Sequence, residues 1–276
     1  MTDSSLSIVS DRDSIPNSIP RLQLKNICKS FGGVQALKHV DFEVYDGEVV
    51  GLVGDNGAGK STLIKTMSGA YVPDQGEILI DGHPVTIQNP QDATQQGIET
   101  VYQDLALCDN LDVVANLWLG REAYRELIPG VLRVLDETEM ERRTLEVLKT
   151  LDVKIPSVRS AVAGLSGGQR QCIAVAKTIL RQPKVVLLDE PTAALGVAQT
   201  RQVLNLILRL KEQKQAVVVI SHNLHDVFEV TDRIIVMRLG ERVRTFETRT
   251  AKREAVVAAI TGADKEAITE TDVTGV

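Results

Sequence analysis

A chain of 276 residues is long enough for one large domain, or a domain with an embedded subdomain, around a sizeable core. Apolar residues make up 43% and charged residues 25%, which is ordinary globular usage and argues against a disordered or membrane-embedded chain. Aromatics at 3% and a net charge of −6 provide neither a stacking platform nor a basic face for nucleic acid.

Three scattered cysteines, Cys28, Cys108 and Cys172, fit neither a disulfide framework nor paired zinc-ligand spacing, as expected of a protein in a reducing compartment. No apolar stretch approaches the roughly 20 residues needed to cross a bilayer, and the N-terminus lacks the hydrophobic core of a signal peptide. Any association with a membrane is therefore expected to run through a partner.

Residues 1–20 are rich in Ser and Asp and are predicted to be a disordered tail. Ordered structure is expected from Arg21, with alternating strands at Leu22–Leu24 and Val40–Val44 and a turn at Asp46-Gly47. Glu48–Val53 reads as a buried strand running into a glycine-rich loop, then a helix over about Gly59–Ser68 that stops at Gly69. Glu77–Ile80 is a short strand. From about 105 to 180 the periodicity turns helical, at Val113–Leu119, Thr138–Leu151 and Gly168–Leu180. Buried strands return at Val185–Leu188, Val217–Ile220 and Ile234–Met237, with a helix at about Val197–Gln213, and residues 263–276 form a polar tail. This alternation predicts an α/β fold with a mostly parallel sheet, interrupted by a helical insert.

The first chemical motif is Gly54-Asp55-Asn56-Gly57-Ala58-Gly59-Lys60-Ser61, followed by Thr62, placed between strand and helix. Its glycines let successive N–H groups converge on a phosphate, and the helix N-terminus adds positive partial charge. Lys60 can reach β/γ-phosphates and the Ser61 hydroxyl can bind Mg2+. The second is Val185–Leu188 followed by Asp189 and Glu190. Taken alone, such a strand end would equally suit a helix N-cap. Beside a phosphate loop, Asp189 suits a Mg2+ ligand and Glu190 a base that orients attacking water. The third, Leu165-Ser166-Gly167-Gly168-Gln169, places a capping box at a helix start with two glycines exposing N–H groups, a second anion site far from the first in sequence.

With these residues in place the chain resembles the ABC ATPases over about residues 21–262: a P-loop NTPase (RecA-like) core with an antiparallel β subdomain and an inserted helical subdomain at about 105–180. The resemblance implies ATP as substrate, Mg2+ as cofactor, and contacts to the bound nucleotide from Gly54 to Thr62 and from Ser166, Gly167, Gly168 and Gln169. It also implies a γ-phosphate-sensing and Mg2+-contacting role for Gln103, a switch role for His222, and adenine stacking on Phe31. Taken singly, Gln103 and His222 would suit structural hydrogen bonding, and Phe31 a core position. One departure stands out, because Gly196 replaces the acidic residue usual in the loop after the carboxylates.

In the ABC ATPases that the chain resembles, each ATP lies between the phosphate loop of one cassette and the signature of another, here Leu165–Gln169, so one of each per chain implies a homodimer. Three stretches, Phe31–Leu37, Ser68–Glu77 and Asn116–Glu122, look most like the carbohydrate-uptake group, in its short single-cassette monosaccharide form, fructose- or ribose-like. That likeness implies a peripheral subunit on the cytoplasmic face of the cell membrane, bound to a permease and served by a solute-binding protein. Import of another small solute, such as a nucleoside or signalling molecule, is the nearest alternative, and a soluble non-transport ABC ATPase a more remote one. Leu105, Leu107, Leu111, Leu117 and Trp118, just after Gln103, are expected either to pack the insert or to receive a permease helix.

Overall fold

The computed structural model describes residues 19–128 and 130–263. Apart from residues 19, 20 and 263, the two predicted tails lie outside the described residues. Strands β1 (Leu22–Phe31), β2 (Val34–Val44), β4 (Gln75–Ile80) and β5 (His83–Val85) form an antiparallel sheet in the order β2-β1-β4-β5. The main sheet runs β12-β11-β3-β10-β9-β6, built from β3 (Val49–Val53), β6 (Ile98–Val101), β9 (Val185–Asp189), β10 (Ala216–Ile220), β11 (Arg233–Arg238) and β12 (Glu241–Glu247). Its pairings are parallel except for β12, which returns antiparallel along β11.

The helices are α1 (Lys60–Met67), α2 (Pro90–Gln95), α3 (Val113–Trp118), α4 (Glu137–Thr150), α5 (Gly167–Ile179), α6 (Val197–Glu212), α7 (Leu224–Val230) and α8 (Arg253–Thr261). Their positions follow from the strands' two-sided burial. On β9, Val186 and Leu188 pack into the core shared with α3, α5 and α6, whereas Val185 and Leu187 pack toward α1 and the antiparallel sheet. β10 divides in the same way, Val217 and Val219 against Ala216, Val218 and Ile220. Continuous apolar runs are what a parallel strand covered on both faces requires, each buried Val or Leu contributing roughly 1.5–3 kcal/mol.

Most predicted elements are present with ends shifted by a residue or two. The first strands are much longer than their alternating segments, because Asn26 and His39 take positive φ at irregular pairing positions and break the period. The insert also departs from its helical pattern. Between α3 and α4 the chain forms a hairpin, β7 (Tyr124–Ile128) with β8 (Leu132–Leu135), turning through Gly130 at φ +71°. Nearly all of its residues are exposed, so it leaves no burial period for a sequence reading to detect. Leu117 and Trp118 belong to the insert's core, the indole N–H of Trp118 donating to the Met140 carbonyl at 3.0 Å. Leu105 and Leu107 are half-buried against that core.

Candidate nucleotide site

The main sheet brings four strand ends to one edge. Register matches Leu52 of β3 with Ile220 of β10, Ile220 with Asp189 of β9, and Leu188 of β9 with Val101 of β6. The segments that follow, the phosphate loop, Ser221-His222, Glu190 and Gln103, therefore leave the same carboxyl edge, where open α/β sheets bind ligands.

The loop geometry depends on glycine at specific points. Gly54 has φ +153°, and a Cβ there would lie 2.2 Å from the Met237 carbonyl oxygen, so β11 abuts the loop's entrance. The Ala58 N–H bonds the Asp55 carbonyl at 3.1 Å and closes the turn, while Gly57, at φ +77°, has open space on its side-chain face. The helical ladder of α1 begins with the Leu63 N–H donating to the Gly59 carbonyl at 2.9 Å, which leaves the N–H groups of Lys60, Ser61 and Thr62 without helical acceptors. The Lys60 ammonium bends back to donate to the Gly54 carbonyl at 2.7 Å and the Asp55 carbonyl at 3.0 Å. Burial lowers the pKa of Lys60, opposed by the nearby carboxylates of Glu190, Asp55 and Asp189.

Two clefts flank this loop. One, of about 630 Å³, is lined by Gly54, Asp55, Lys60, Glu190, Ser221 and His222, with Val257 and Ile260 of α8 forming an apolar wall. The other, of about 540 Å³, takes in Gly57 to Thr62 together with Val34, Ala36 and Gly240. Both volumes suit a small ligand. Phe31, 43% exposed, meets Tyr71 edge-to-face at 5.0 Å and pairs across β1–β2 with Val34, which lines the second cleft although Phe31 itself does not.

Opposite Lys60, the Glu190 carboxylate is largely buried and accepts from the His222 ring at 2.8 Å, with the imidazole itself 74% exposed. Glu190 has φ +51°, held by its N–H donating to the Ile220 carbonyl at 3.0 Å. Burial raises the pKa of Asp189, the charge of Glu190 raises it further, and Lys65 and Lys60 oppose the shift. Backbone N–H groups, an ammonium, a serine hydroxyl and a carboxylate form a donor set that fits a phosphate chain with its Mg2+, an ion that takes few protein ligands when phosphate oxygens complete its shell.

The signature forms as its residues predict. The Ser166 hydroxyl accepts from the Gln169 N–H at 3.3 Å, and the Gln169 carbonyl oxygen Oε1 accepts from the Ser166 N–H at 3.0 Å. A Cβ at Gly168 would come within 2.9 Å of Gln199, so α5 and α6 touch there. Ser166, Gly167, Gly168 and Gln169 line neither cleft beside the phosphate loop, and neither does exposed Gln103. Gly196 caps α6 with φ −73°, and the nearest atom to a Cβ there would be 3.9 Å away, so an acidic side chain would fit and its absence is not steric. The apolar wall from α8, Val257 and Ile260, lies where the sequence pattern predicted neither a motif nor a helix.

The ABC transporter family model matches residues 37–193. The chain is 45% identical over 249 residues to the fructose import ATP-binding protein FrcA of Rhizobium meliloti, covering 88% of this chain and 95% of that protein. It is 44% identical to the xylose/arabinose import ATP-binding protein XylG of Sulfolobus acidocaldarius, with 80% and 85% covered. The ribose import ATP-binding protein RbsA of Yersinia pestis is 41% identical over 82% of this chain, but only 43% of that longer protein. Among solved structures, the ADP conformation of an ATP-binding cassette of an ABC transporter superposes with TM-score 0.74 at 25% identity over 88% of this chain and 96% of that one. A dimeric cassette bound to ADP and Pi gives 0.67 at 29% identity, over 83% and 100%. Fold, site geometry and relatives agree, and the chain belongs to the ABC transporter family as an ATP-binding cassette.

Proposed function

We propose that this cassette is the ATP-hydrolysing subunit of an importer for a monosaccharide, working as a homodimer beneath a permease on the cytoplasmic face of the cell membrane and served by a solute-binding protein. The observation that carries the ATPase reading is the convergence of Lys60, Glu190 and His222 on a cleft large enough for a nucleotide, with Asp189 at the same sheet edge under the influence of the Lys60 and Glu190 charges. The relatives' names support sugar import. The cassette proper is residues 21–262, with its helical subdomain at about 105–180.

In this reading the N–H groups from Gly54 to Thr62 cradle the phosphates and Lys60 leaves its two loop carbonyls to pair with the β/γ oxygens. Phe31 stacks on the adenine. Ser61, Asp189 and Gln103 would hold Mg2+, which, when bound, neutralises charge developing on the transferred phosphoryl group. The Glu190 carboxylate orients the attacking water and takes its proton at Oε1, while Oε2 accepts from the His222 ring nitrogen. Ser166, Gly167, Gly168 and Gln169 serve the other copy's nucleotide, since in their own chain they lie outside both clefts.

Among the described residues no helix is long and apolar enough to cross a membrane, so the force must leave through a contact. The segment from Asp104 to Glu122, with Leu107 half-buried against the insert's core four residues after Gln103, is the proposed permease seat. Reconstituting the chain with its membrane partners in vesicles tests the whole reading. ATP-dependent uptake of fructose, ribose or xylose is expected, with nucleotide-sensitive cysteine crosslinks from residues 104–122 to the permease. ATP turnover with no solute import, or crosslinks only elsewhere on the cassette, would refute it.

A further inference from the structure

The loop that follows Glu190 is anchored from beneath by a contact that none of the motifs contains. The Glu190 carbonyl accepts from the Ala193 N–H at 3.1 Å, which makes residues 190–193 a tight turn with Pro191 at its first corner. Thr192, at the second corner, turns its hydroxyl inward and donates to Asp226 Oδ2 at 2.7 Å. Both side chains are buried, with residue exposures of 9% and 4%. Asp226 lies in the first turn of α7, four residues after His222, and α7 is packed so closely on β3 that a Cβ at Gly51 would come within 2.7 Å of Val227.

The turn therefore meets the His222–α7 segment at two points, Glu190 with His222 and Thr192 with Asp226. The first is weak as an anchor, because the imidazole is 74% exposed and a solvent-facing pair holds little. The second is a buried hydrogen bond to a carboxyl oxygen, and its loss would leave that acceptor buried without its hydroxyl. Meanwhile Glu190 and Ala194 on either side of Thr192 both take positive φ, at +51° and +58°, conformations that persist only where their surroundings impose them. From Thr192 the loop continues to Leu195, whose Cδ2 lies within 3.1 Å of where a Cβ on Gly167 of the signature would sit.

We infer that Thr192 and Asp226 are positioning residues for hydrolysis: their buried hydrogen bond ties the Glu190 turn to α7 and holds it in its strained geometry. This rests on the reading of Glu190 as the residue that orients water. The pair is buried and lines neither cleft beside the phosphate loop, so it acts on kcat through Glu190 and leaves that loop alone.

Steady-state ATP hydrolysis, nucleotide binding and thermal melting of the full chain test it in four variants. Thr192→Val and Asp226→Leu are expected to lower kcat about tenfold or more, as misplacement of a catalytic group does, with KM and ATP binding unchanged. Thr192→Ser, which keeps the hydroxyl, and Asp226→Asn, which keeps an acceptor, are expected to stay within about twofold of wild type. If Thr192→Val does not fold, Thr192→Ala takes its place. A lowered melting temperature with wild-type kcat in the folded protein would make the pair merely structural and overturn the inference. So would a raised KM at constant kcat, or an Asp226→Asn variant as slow as Thr192→Val. A wild-type chain without turnover would instead count against the ATPase reading itself.

Discussion

Replacing Glu190 with glutamine removes a charge and a proton acceptor while keeping the side chain's volume. The amide oxygen can still accept from His222, and the exposed imidazole makes that pair worth no more than about 1 kcal/mol. The melting temperature should therefore move by less than about 4 °C. The chemical step should suffer far more, because general-base assistance is worth about 10²- to 10⁴-fold, or roughly 3–5 kcal/mol at the transition state. ATP binding should hold or tighten, since one of three carboxylates facing Lys60 loses its charge. Removing that charge also relieves Asp189, whose pKa Glu190 helps to raise, so Asp189 should ionise more readily and hold Mg2+ better. Single-turnover hydrolysis measured beside equilibrium ATP binding separates the two effects, and size-exclusion chromatography should reveal an accumulated ATP-bound dimer. A variant that hydrolyses ATP within a few-fold of wild type, with binding intact, would show that another group activates the water.

Gly54→Ala should destabilise the chain by about 2–6 kcal/mol, since its Cβ would strike the Met237 carbonyl at a backbone angle suited to glycine; a melting drop on the order of 10 °C together with lost ATP binding is expected, and unchanged melting would contradict the fit. Lys60→Ala should weaken ATP binding, whereas Ser166→Arg should spare binding yet block hydrolysis. Mixing the two variants should restore part of the turnover through one intact composite site, and an additive loss in the mixture would exclude a site shared between copies. The raised pKa of Asp189 sets a pH dependence with opposite signs. Its protonation removes an ionisation penalty from the nucleotide-free fold, a contribution lost as pH rises through the raised value, whereas Mg2+ binding needs the ionised form. The melting increment from Mg2+-ATP should thus shrink as pH falls through that value, and an increment that stays constant down to acid unfolding would exclude Asp189 as a ligand.

Motifs that concentrate their chemistry in consecutive residues were legible from sequence. Gly54–Ser61, Asp189-Glu190 and Ser166–Gln169 each act through local backbone geometry, so spacing alone conveyed a phosphate cradle, a charged strand end and a capping box. The parallel sheet was equally readable, because strands covered on both faces become continuous apolar runs. Other features depend on groups distant in the chain. The β7–β8 hairpin buries too little to impose a period, and its exposed residues gave no pattern to find. Strand order is set by pairing, and it alone brings Glu190 and His222, 32 positions apart, to 2.8 Å. Val257 and Ile260 form a wall of the cleft only because α8 packs back on the sheet. The Thr192–Asp226 bond joins a turn to a helix across 34 residues, and neither residue type marks it beforehand. Local hydrogen bonding and burial period are written into short stretches of chain, whereas which buried polar groups satisfy one another is decided only when the packed elements leave them a single partner.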